Sequence, residues 1–373
     1  MYCLGIESTA HTFGIGIVSH TRKKNAKGSP AAEKYETKIL ANVWDMYKPP
    51  GGWGIKPQEA ARHHREFAPV ILQKTLSQAK LSLKDIDLVA FSQGPGLPPC
   101  LKEGLKFAKS ISRKAAKPVS IGRRQETPSF QKVAANHANR ISSPLIGVNH
   151  CIAHVEIGRL CAAVKDPVTL YVSGANTQVL AFAEGRYRCF GETMDIGIGN
   201  ALDKFGRAVG LEFPAGPAIE GLALRGAYVE MPYVVKGMDL SFSGIITDAI
   251  TKFKGKERLE NLCYSLQETL FAMLTEVTER AMAHTGKTEL LLTGGVAANS
   301  RLQQMLGIMC LERGASFYPV PREYAGDCGA NIAWTGILAY KHRLRKNKRG
   351  NVSGILPRQR TDDVDVRWVR HNA

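Results

Sequence analysis

Two segments of one design constrain this chain more than anything else in it. YCLGIESTAHTFGIGIV, from residue 2, is an apolar strand, a Ser/Thr turn and a second strand; TLYVSGANTQVLAF, residues 169 to 182, repeats the device around a Ser-Gly-Ala-Asn-Thr turn. A hairpin that recurs later in the chain predicts an internal duplication, and 373 residues suffice for two lobes with a core each. Mixed helix and strand follow each copy. Helices are expected at about 57 to 79 and 101 to 116 with a strand at 86 to 92, then helices near 198 to 210, 216 to 225 and 258 to 284. In TELLLTGGVAANSRLQQMLGIMCLERG a further strand runs through Gly294-Gly295 into a helix. The pattern predicts an α/β protein.

The expected division is an N-terminal lobe over 1 to 168, a C-terminal lobe over 169 to 340, and a tail over 341 to 373, basic and then acidic. Polar, basic stretches at 20 to 37 and 122 to 144 break the pattern and read as surface insertions. No apolar run approaches the roughly 18 residues of a membrane span, and MYCLGIEST has neither a basic start nor a cleavage site, so no membrane is expected and the cytoplasm or nucleus is. The eight cysteines are scattered without a C-x-x-C pair, which predicts reduced thiols.

Charge points to a partner. Fifty Lys and Arg against 33 Asp and Glu give +17, an excess that favours a polyanion, most plausibly nucleic acid. Basic residues gather at 22 to 28, 102 to 114, 122 to 125 and 341 to 349. Any one cluster equally suits a solvated surface; four together favour RNA or DNA.

Two motifs are decoys. GKT at 286 to 288 has Ala281 where a P-loop needs its first glycine, and it precedes a strand instead of following one; IGIGNAL has Leu202 where a dinucleotide fingerprint needs its third glycine. Three other turns, IESTAHT, VSGANTQ and LLTGGVAANSR, share small residues and hydroxyls that let backbone N–H groups approach phosphate, and Gly294-Gly295 offers a flat surface to an adenine or ribose. Each is weak alone. Their order along a duplicated chain resembles the actin, sugar-kinase and Hsp70 ATPase superfamily (the ASKHA fold), whose two lobes close over a nucleotide in the cleft.

In NHCIAHVEIGR, residues 149 to 159, His150 and His154 stand four apart on one face of an expected helix. Such a pair is more often packing than a metal site, and a stable site wants about three or four protein ligands. Asp327 in AGDCGANIA or Tyr171 at the second hairpin would complete one. Zinc proteases with this spacing place a Glu base after the first histidine; here that residue is Cys151.

GIEST, SQGPG (92 to 96), GVNHCIAHVEIGR, YVSGANTQ, DIGIGNALDKFGR (195 to 207), DLSFSG (239 to 244), GGVAANSRL, GDCGANIAWTG and QRTDDVDVRW together cover nearly the whole chain. In this order they resemble the universal tRNA threonylcarbamoyladenosine synthases, once described as O-sialoglycoprotein endopeptidases. Asn176 after Ser-Gly-Ala, Tyr171 before the turn and the QRTDDVDVRW tail resemble the archaeal and eukaryotic branch, the catalytic subunit of the KEOPS complex.

That resemblance implies a metal-dependent acyltransferase. It would pass threonylcarbamoyl from threonylcarbamoyl-AMP to the exocyclic amine of the adenosine 3′ of the anticodon, in tRNAs that read A-starting codons. Matched position by position, the metal ligands would be His150, His154 and Asp327, with Tyr171 an additional contact in some members and iron or zinc the ion. The nucleotide, threonylcarbamoyl-AMP or an ATP-type ligand, would lie against Tyr171, Val172, Ser173, Gly174 and Ala175, with Asp203, Gly216, Glu220 and Asn299 completing the pocket. Implied partners are tRNA and the other KEOPS subunits: a small atypical kinase, a dimerising subunit and a small tRNA-binding accessory protein. No general base is singled out. The runner-up readings are a metallopeptidase and an ATPase of the same fold. Ala175 departs from the usual Ser-Gly-Gly turn, which raises the question whether its methyl crowds the site.

Overall fold

The computed structural model describes residues 1–22, 35–49, 54–118, 140–345 and 354–369. Packing divides the chain into two units. The first comprises Met1–Tyr47, Pro57–His150 and Cys328–Arg358. In it β1 (Tyr2–Glu7) and β2 (Thr12–Arg22) form the first expected hairpin, with Glu7 opposite Gly14, and β3 (Tyr35–Met46) pairs antiparallel with β2. Helix α1 (Pro57–Ala79) leads to β4 (Leu88–Gly94), parallel to β1. Helix α2 (Pro98–Lys114) leads through the two-residue ladder of β5 (Lys117–Pro118) and β6 (Arg140–Ile141) to β7 (Leu145–Asn149), parallel to β4. The sheet order is therefore β3-β2-β1-β4-β7. Its central strands are buried along nearly their whole length, which is why they read as continuous apolar runs without strict alternation. Leu4, Ile6, Phe13, Ile15, Val89 and Phe91 form the core with α1 and α2.

The second unit comprises Lys48–Lys56, Cys151–Asp327 and Gln359–Ala373. After helix α3 (His150–Ala162), β8 (Val168–Val172), β9 (Thr177–Ala183) and β10 (Arg186–Glu192) form an antiparallel meander. Helices α4 (Ile198–Ala208) and α5 (Gly216–Ala223), the small ladder of β11 (Val235–Lys236) and β12 (Asp239–Leu240), and helices α6 (Ser243–Lys254) and α7 (Leu259–Thr285) follow. Then β13 (Glu289–Thr293) lies parallel to β8, and helix α8 (Ser300–Glu312) brings β14 (Ser316–Pro319) parallel to β13. The order β10-β9-β8-β13-β14 repeats that of the first unit strand for strand, as the duplicated hairpins predict.

The chain ends with the short α9 (Arg322–Ala325), then α10 (Gly329–Arg345), which packs on β1, β2 and β4. Helix α10 runs through Arg345, past the expected start of a tail at 341. Residues 354–369 form turns, with Val366 and Val369 buried against Cys151, Ile152, Val155 and Tyr187. Strand extends through Arg22 and resumes at Tyr35, so both ends of the expected insertion at 20 to 37 belong to a hairpin. Its remainder and most of 122 to 144 lie outside the described residues. All eight cysteines are free thiols, and no helix among the described residues is long and apolar enough to cross a membrane.

Candidate metal centre and neighbouring turns

Helix α3 starts directly out of β7, so its first residue, His150, is held by the end of a buried strand. One turn on, His154 lies on the same face. Asp327 comes from the loop between α9 and α10, and one ligand atom from each of His150, His154 and Asp327 falls within 4.8 Å of the others. His154 Nε2 stands 3.2 Å from Asp327 Oδ1, with the histidine side chain 1% and the aspartate 19% exposed. Tyr171, fully buried in β8, stacks on His154 with ring centroids 4.8 Å apart. Two imidazoles and a carboxylate, largely removed from water, are a donor set that suits a transition metal and leaves coordination positions for a substrate oxygen. The convergence of Asp327 on the histidine pair, which spacing alone leaves open, is thus present in the fold.

Sequence reasoning missed Glu7. It is 1% exposed at the end of β1, and its Oε2 lies 2.9 Å from His150 Nδ1, while its Oε1 accepts from Thr9 N (2.7 Å) and the Thr9 hydroxyl (2.6 Å). A carboxylate on Nδ1 fixes the ring and leaves Nε2 as the nitrogen for a metal. The same bonds change the reading of the first turn. The Thr9 N–H is taken by Glu7 and the Ser8 N–H donates to Ser92 Oγ at 3.0 Å, so these two amides are committed inside the protein. Instead of cradling phosphate with them, the IESTAHT turn anchors a histidine-orienting carboxylate.

The other two turns sit together at the carboxyl ends of the neighbouring parallel strands β8 and β13, where open α/β sheets bind ligands. Val172 closes β8. Ser173 then closes its turn through Ser173 N to Asn176 O (2.8 Å) and Asn176 N to Ser173 Oγ (3.1 Å). Gly174 is half-buried and Ala175 exposed, and neither has positive φ, so the Ala175 methyl brings no backbone strain. Gly294, after β13, has φ +102°, and a Cβ there would fall 2.1 Å from Val172 O; glycine alone permits that approach.

The turn is held from beneath by α4, where Gly199 N donates to Ser173 O (3.1 Å), Asn200 N to Gly174 O (2.9 Å) and Ile198 N to Thr177 Oγ1 (2.8 Å). A Cβ on Gly197 would sit 2.5 Å from Gly174 O, so the approach of α4 to the turn requires glycine. Asp195, also unread from sequence, locks this connection. It accepts from Ile196 N (2.7 Å), Phe242 N (3.1 Å), Ser243 N (2.9 Å) and the Ser241 hydroxyl (2.5 Å). Burial opposes its charge, but these donors outweigh it and hold the carboxyl well below the usual carboxylate range.

The remaining expected pocket residues line the same unit. Asp203 on α4 accepts from Ala215 N (2.8 Å) and fixes the start of α5, where Gly216 faces open space. Glu220 on α5 accepts from Ser300 N (2.8 Å) through Oε1, which also takes the Ser300 hydroxyl. Asn299 caps α8 by accepting from Arg301 N (2.9 Å) and Leu302 N (3.1 Å), while its amide donates to Gln267 Oε1 (3.1 Å). Its polar atoms therefore build the helix start. Cys151, at the position of a protease base, is buried among Ile152, Val155 and Tyr171.

A sequence model of the family described as TsaD, tRNA N6-adenosine threonylcarbamoyltransferase, matches residues 38–121 and 132–334. Over 370 residues the chain is 48% identical to the tRNA N6-adenosine threonylcarbamoyltransferase of Thermococcus sibiricus and 49% identical to that of Thermococcus kodakarensis, covering 99% of this chain and 100% of each relative. It is 47% identical to a probable bifunctional tRNA threonylcarbamoyladenosine biosynthesis protein of Methanosarcina mazei, covering 99% of this chain and 60% of that one. Among solved structures, full-length HypF in its phosphate- and nucleotide-bound form aligns with a TM-score of 0.54 at 12% identity, over 92% of this chain and 55% of that one. HypF of T. kodakarensis aligns with a TM-score of 0.52 at 13% identity, over 90% and 47%. At such identities the likeness speaks for the fold alone, the duplicated α/β fold of the actin and sugar-kinase type.

Proposed function

Since this chain belongs to the TsaD family of tRNA N6-adenosine threonylcarbamoyltransferases, enzymes of tRNA modification, we propose that it carries threonylcarbamoyl from threonylcarbamoyl-AMP to the exocyclic amine of the adenosine 3′ of the anticodon, in tRNAs reading A-starting codons. The amine nitrogen bonds to the carbamoyl carbon, the bond from that carbon to the phosphate oxygen breaks, AMP leaves with the electron pair, and the amine gives up one proton. An amine conjugated with its ring is a poor nucleophile, so the acyl donor must be activated and the charge on its oxygens stabilised.

The observation that carries this reading is the convergence of His150, His154 and Asp327 in a chain that matches the family over nearly its full length. A divalent ion held there, iron or zinc, with Tyr171 at hand as a further contact, would polarise a carbonyl or phosphate oxygen. Glu7 orients His150 for that task. The turn from Tyr171 to Ala175 supports the phosphate side of the nucleotide, and Glu220, whose Oε1 is engaged by Ser300, offers Oε2 to a ribose hydroxyl. Asp203 and Asn299 shape the pocket by fixing α5 and α8, and Gly216 leaves room beside them. Cys151 supplies no base for activating water, which keeps the mixed anhydride from hydrolysis before tRNA arrives. The partners are tRNA and the KEOPS subunits (the small atypical kinase, the dimerising subunit and the tRNA-binding accessory protein), in cytoplasm and nucleus.

The test supplies threonylcarbamoyl-AMP and tRNA to the protein with its partner subunits and follows labelled threonine by mass spectrometry of nucleosides. The expected result is threonylcarbamoyladenosine and one AMP per transfer without ATP consumption. Metal-dependent peptide cleavage, or ATP turnover with unmodified tRNA, would replace this reading with a metallopeptidase or an ATPase.

A further inference from the structure

Cross-strand partners in β1, β2 and β3 fall into rows, and one row runs Glu7, Gly14, Trp44. Residues directly opposite one another project from the same face of a sheet. Glu7 Oε2 lies 2.9 Å from His150 Nδ1 at one end of the row. Trp44 stands at the other end, about 10 Å from Glu7 across two antiparallel pairings of roughly 4.5 to 5.5 Å each. All four residues belong to the first unit. Alternation along β3 identifies the same face independently. Val43 packs into the core with α1 and α2, and Asp45 lies 2.8 Å from His63 of α1, so Trp44 between them projects to the opposite side, where α10 packs.

Glycine occupies the middle of the row for a reason of space. A Cβ on Gly14 would fall 3.2 Å from Gly329 N and 3.3 Å from Trp44 Cβ. The backbone of Cys328 and Gly329, next in the chain after Asp327, therefore lies over Gly14, and the cover that α10 gives the sheet begins there. Trp44 is left 51% exposed, and among the described residues its indole makes no hydrogen bond, ring contact or cation contact. A single exposed apolar side chain is ordinary on a protein surface. Here, however, half of the largest apolar side chain stays in water at a strand position that a Thr or Val would fill as well. Its row begins at the carboxylate behind a metal-site histidine, which gives the exposed ring a use.

We propose that the Trp44 indole is a stacking platform for an unpaired base of the tRNA anticodon loop, next to the adenosine that receives the acyl group. The inference rests on the tRNA reading above and adds a residue that holds the loop open. To bring its exocyclic amine to the acyl donor, the target adenosine must leave the stack of the loop, and its neighbour then loses a stacking partner. An aromatic ring replaces that partner whatever the sequence, because every base has a π-face. The offset of about 10 Å from Glu7 suits a neighbour of the target better than the target itself.

The experiment uses the full-length protein with its partner subunits and compares the parent with Trp44→Ala and Trp44→Phe. The ligands are threonylcarbamoyl-AMP, intact tRNA, and two tRNAs with an abasic site on one or the other side of the target adenosine. Trp44→Ala should weaken binding of intact tRNA by about 5- to 150-fold, the usual loss when a stacking ring is cut to alanine. The slope of log affinity against log salt should equal the parent's, since stacking releases no counterions. Trp44→Phe should retain most of the affinity, and threonylcarbamoyl-AMP should bind all three proteins alike. One of the abasic tRNAs should bind the parent more weakly by a similar factor and bind parent and Trp44→Ala equally. Parent-like tRNA affinity in Trp44→Ala overturns the platform. So does a loss that persists undiminished on both abasic tRNAs, or one that falls on threonylcarbamoyl-AMP instead. Should Trp44→Ala fail to fold, the abasic tRNAs decide alone, because a parent that binds both as tightly as intact tRNA has no base on its indole. A parent that transfers nothing to tRNA overturns the reading beneath it.

Discussion

Glu7 shows how a single residue decides what a histidine pair is for. Spacing in NHCIAHVEIGR puts two imidazoles on one helix face, but only the carboxylate at the end of β1 sets which nitrogen of His150 is left outward. Spacing and periodicity do not announce this partnership, because the pair is 143 residues apart and Glu7 sits in a turn that resembles a phosphate loop. A signal was present, though: a Glu beside Ser-Thr at the end of an all-apolar strand must find donors when buried. Replacing Glu7 by Gln keeps the shape and removes the charge. Outer partners of this kind typically tune metal affinity by about 10- to 100-fold, and Glu7→Gln should weaken binding of zinc or iron by that amount. Metal competition titration checks it, and affinity equal to the parent's would show that His150 needs no carboxylate behind it.

At the scale of elements, α3 was legible and its support was not. The helix appears at His150–Ala162 as the spacing predicts, and α1 spans Pro57–Ala79 as read, opening on a proline at its first position. Helix α2 starts at Pro98, three residues before the expected start, because Pro98 and Pro99 look like a loop in sequence yet suit the first turn of a helix. The seat of α3 lies at the far end of the chain. Glu156, 1% exposed, accepts from Tyr187 Oη and from Trp368 Nε1, both at 2.9 Å on Oε1, and from Arg159 at 2.9 Å on Oε2. A contact between β10, α3 and a terminal segment 212 residues away carries no periodic signature. Burial, followed by the negative charge of Glu156, pushes the Tyr187 hydroxyl well above its usual value, so it remains a donor to that carboxylate. Trp368→Phe keeps most of the packing and deletes one donor to a buried charge. Such a loss costs about 1 to 3 kcal/mol, and urea unfolding should show a destabilisation of that size. A change below about 0.5 kcal/mol, the scale of ordinary surface substitutions, would mean that Tyr187 and Arg159 suffice.

The molecule as a whole repeats one five-stranded topology, and that was the most legible feature because a duplicated hairpin leaves a duplicated pattern of apolar runs. What the repeat hides is divergence. In the first unit the hairpin turn spends its Ser8 and Thr9 amides inside the protein, while in the second the turn is lifted by α4 and stays partly exposed at Gly174 and Ala175. The first unit also buries His64 completely, with Nε2 3.0 Å from the carbonyl of Ala10. Burial first, and then the charge of neighbouring His63, lower its pKa from the usual 6.5 to about 4. His20, lowered to about 4 by burial and by Lys341, adds a smaller share because solvent reaches it. Both rings stay neutral in the folded chain and take a proton more readily once unfolded. Stability from these groups is therefore intact above pH 6.5 and is lost as pH falls from about 6.5 towards 4. Asp195 works the opposite way and at lower pH: its depressed carboxyl supports the fold above the ordinary aspartate range and loses that support only under stronger acid. The two effects separate on the pH axis. His64→Gln retains a donor for the Ala10 carbonyl but has nothing to protonate, so its unfolding midpoint should lie near or below the parent's at pH 7.5 and fall less than the parent's between pH 6.5 and 4.5. Parallel curves for parent and variant across that window would show that His64 is already protonated in the fold, and that its burial is compensated by a partner other than the Ala10 carbonyl.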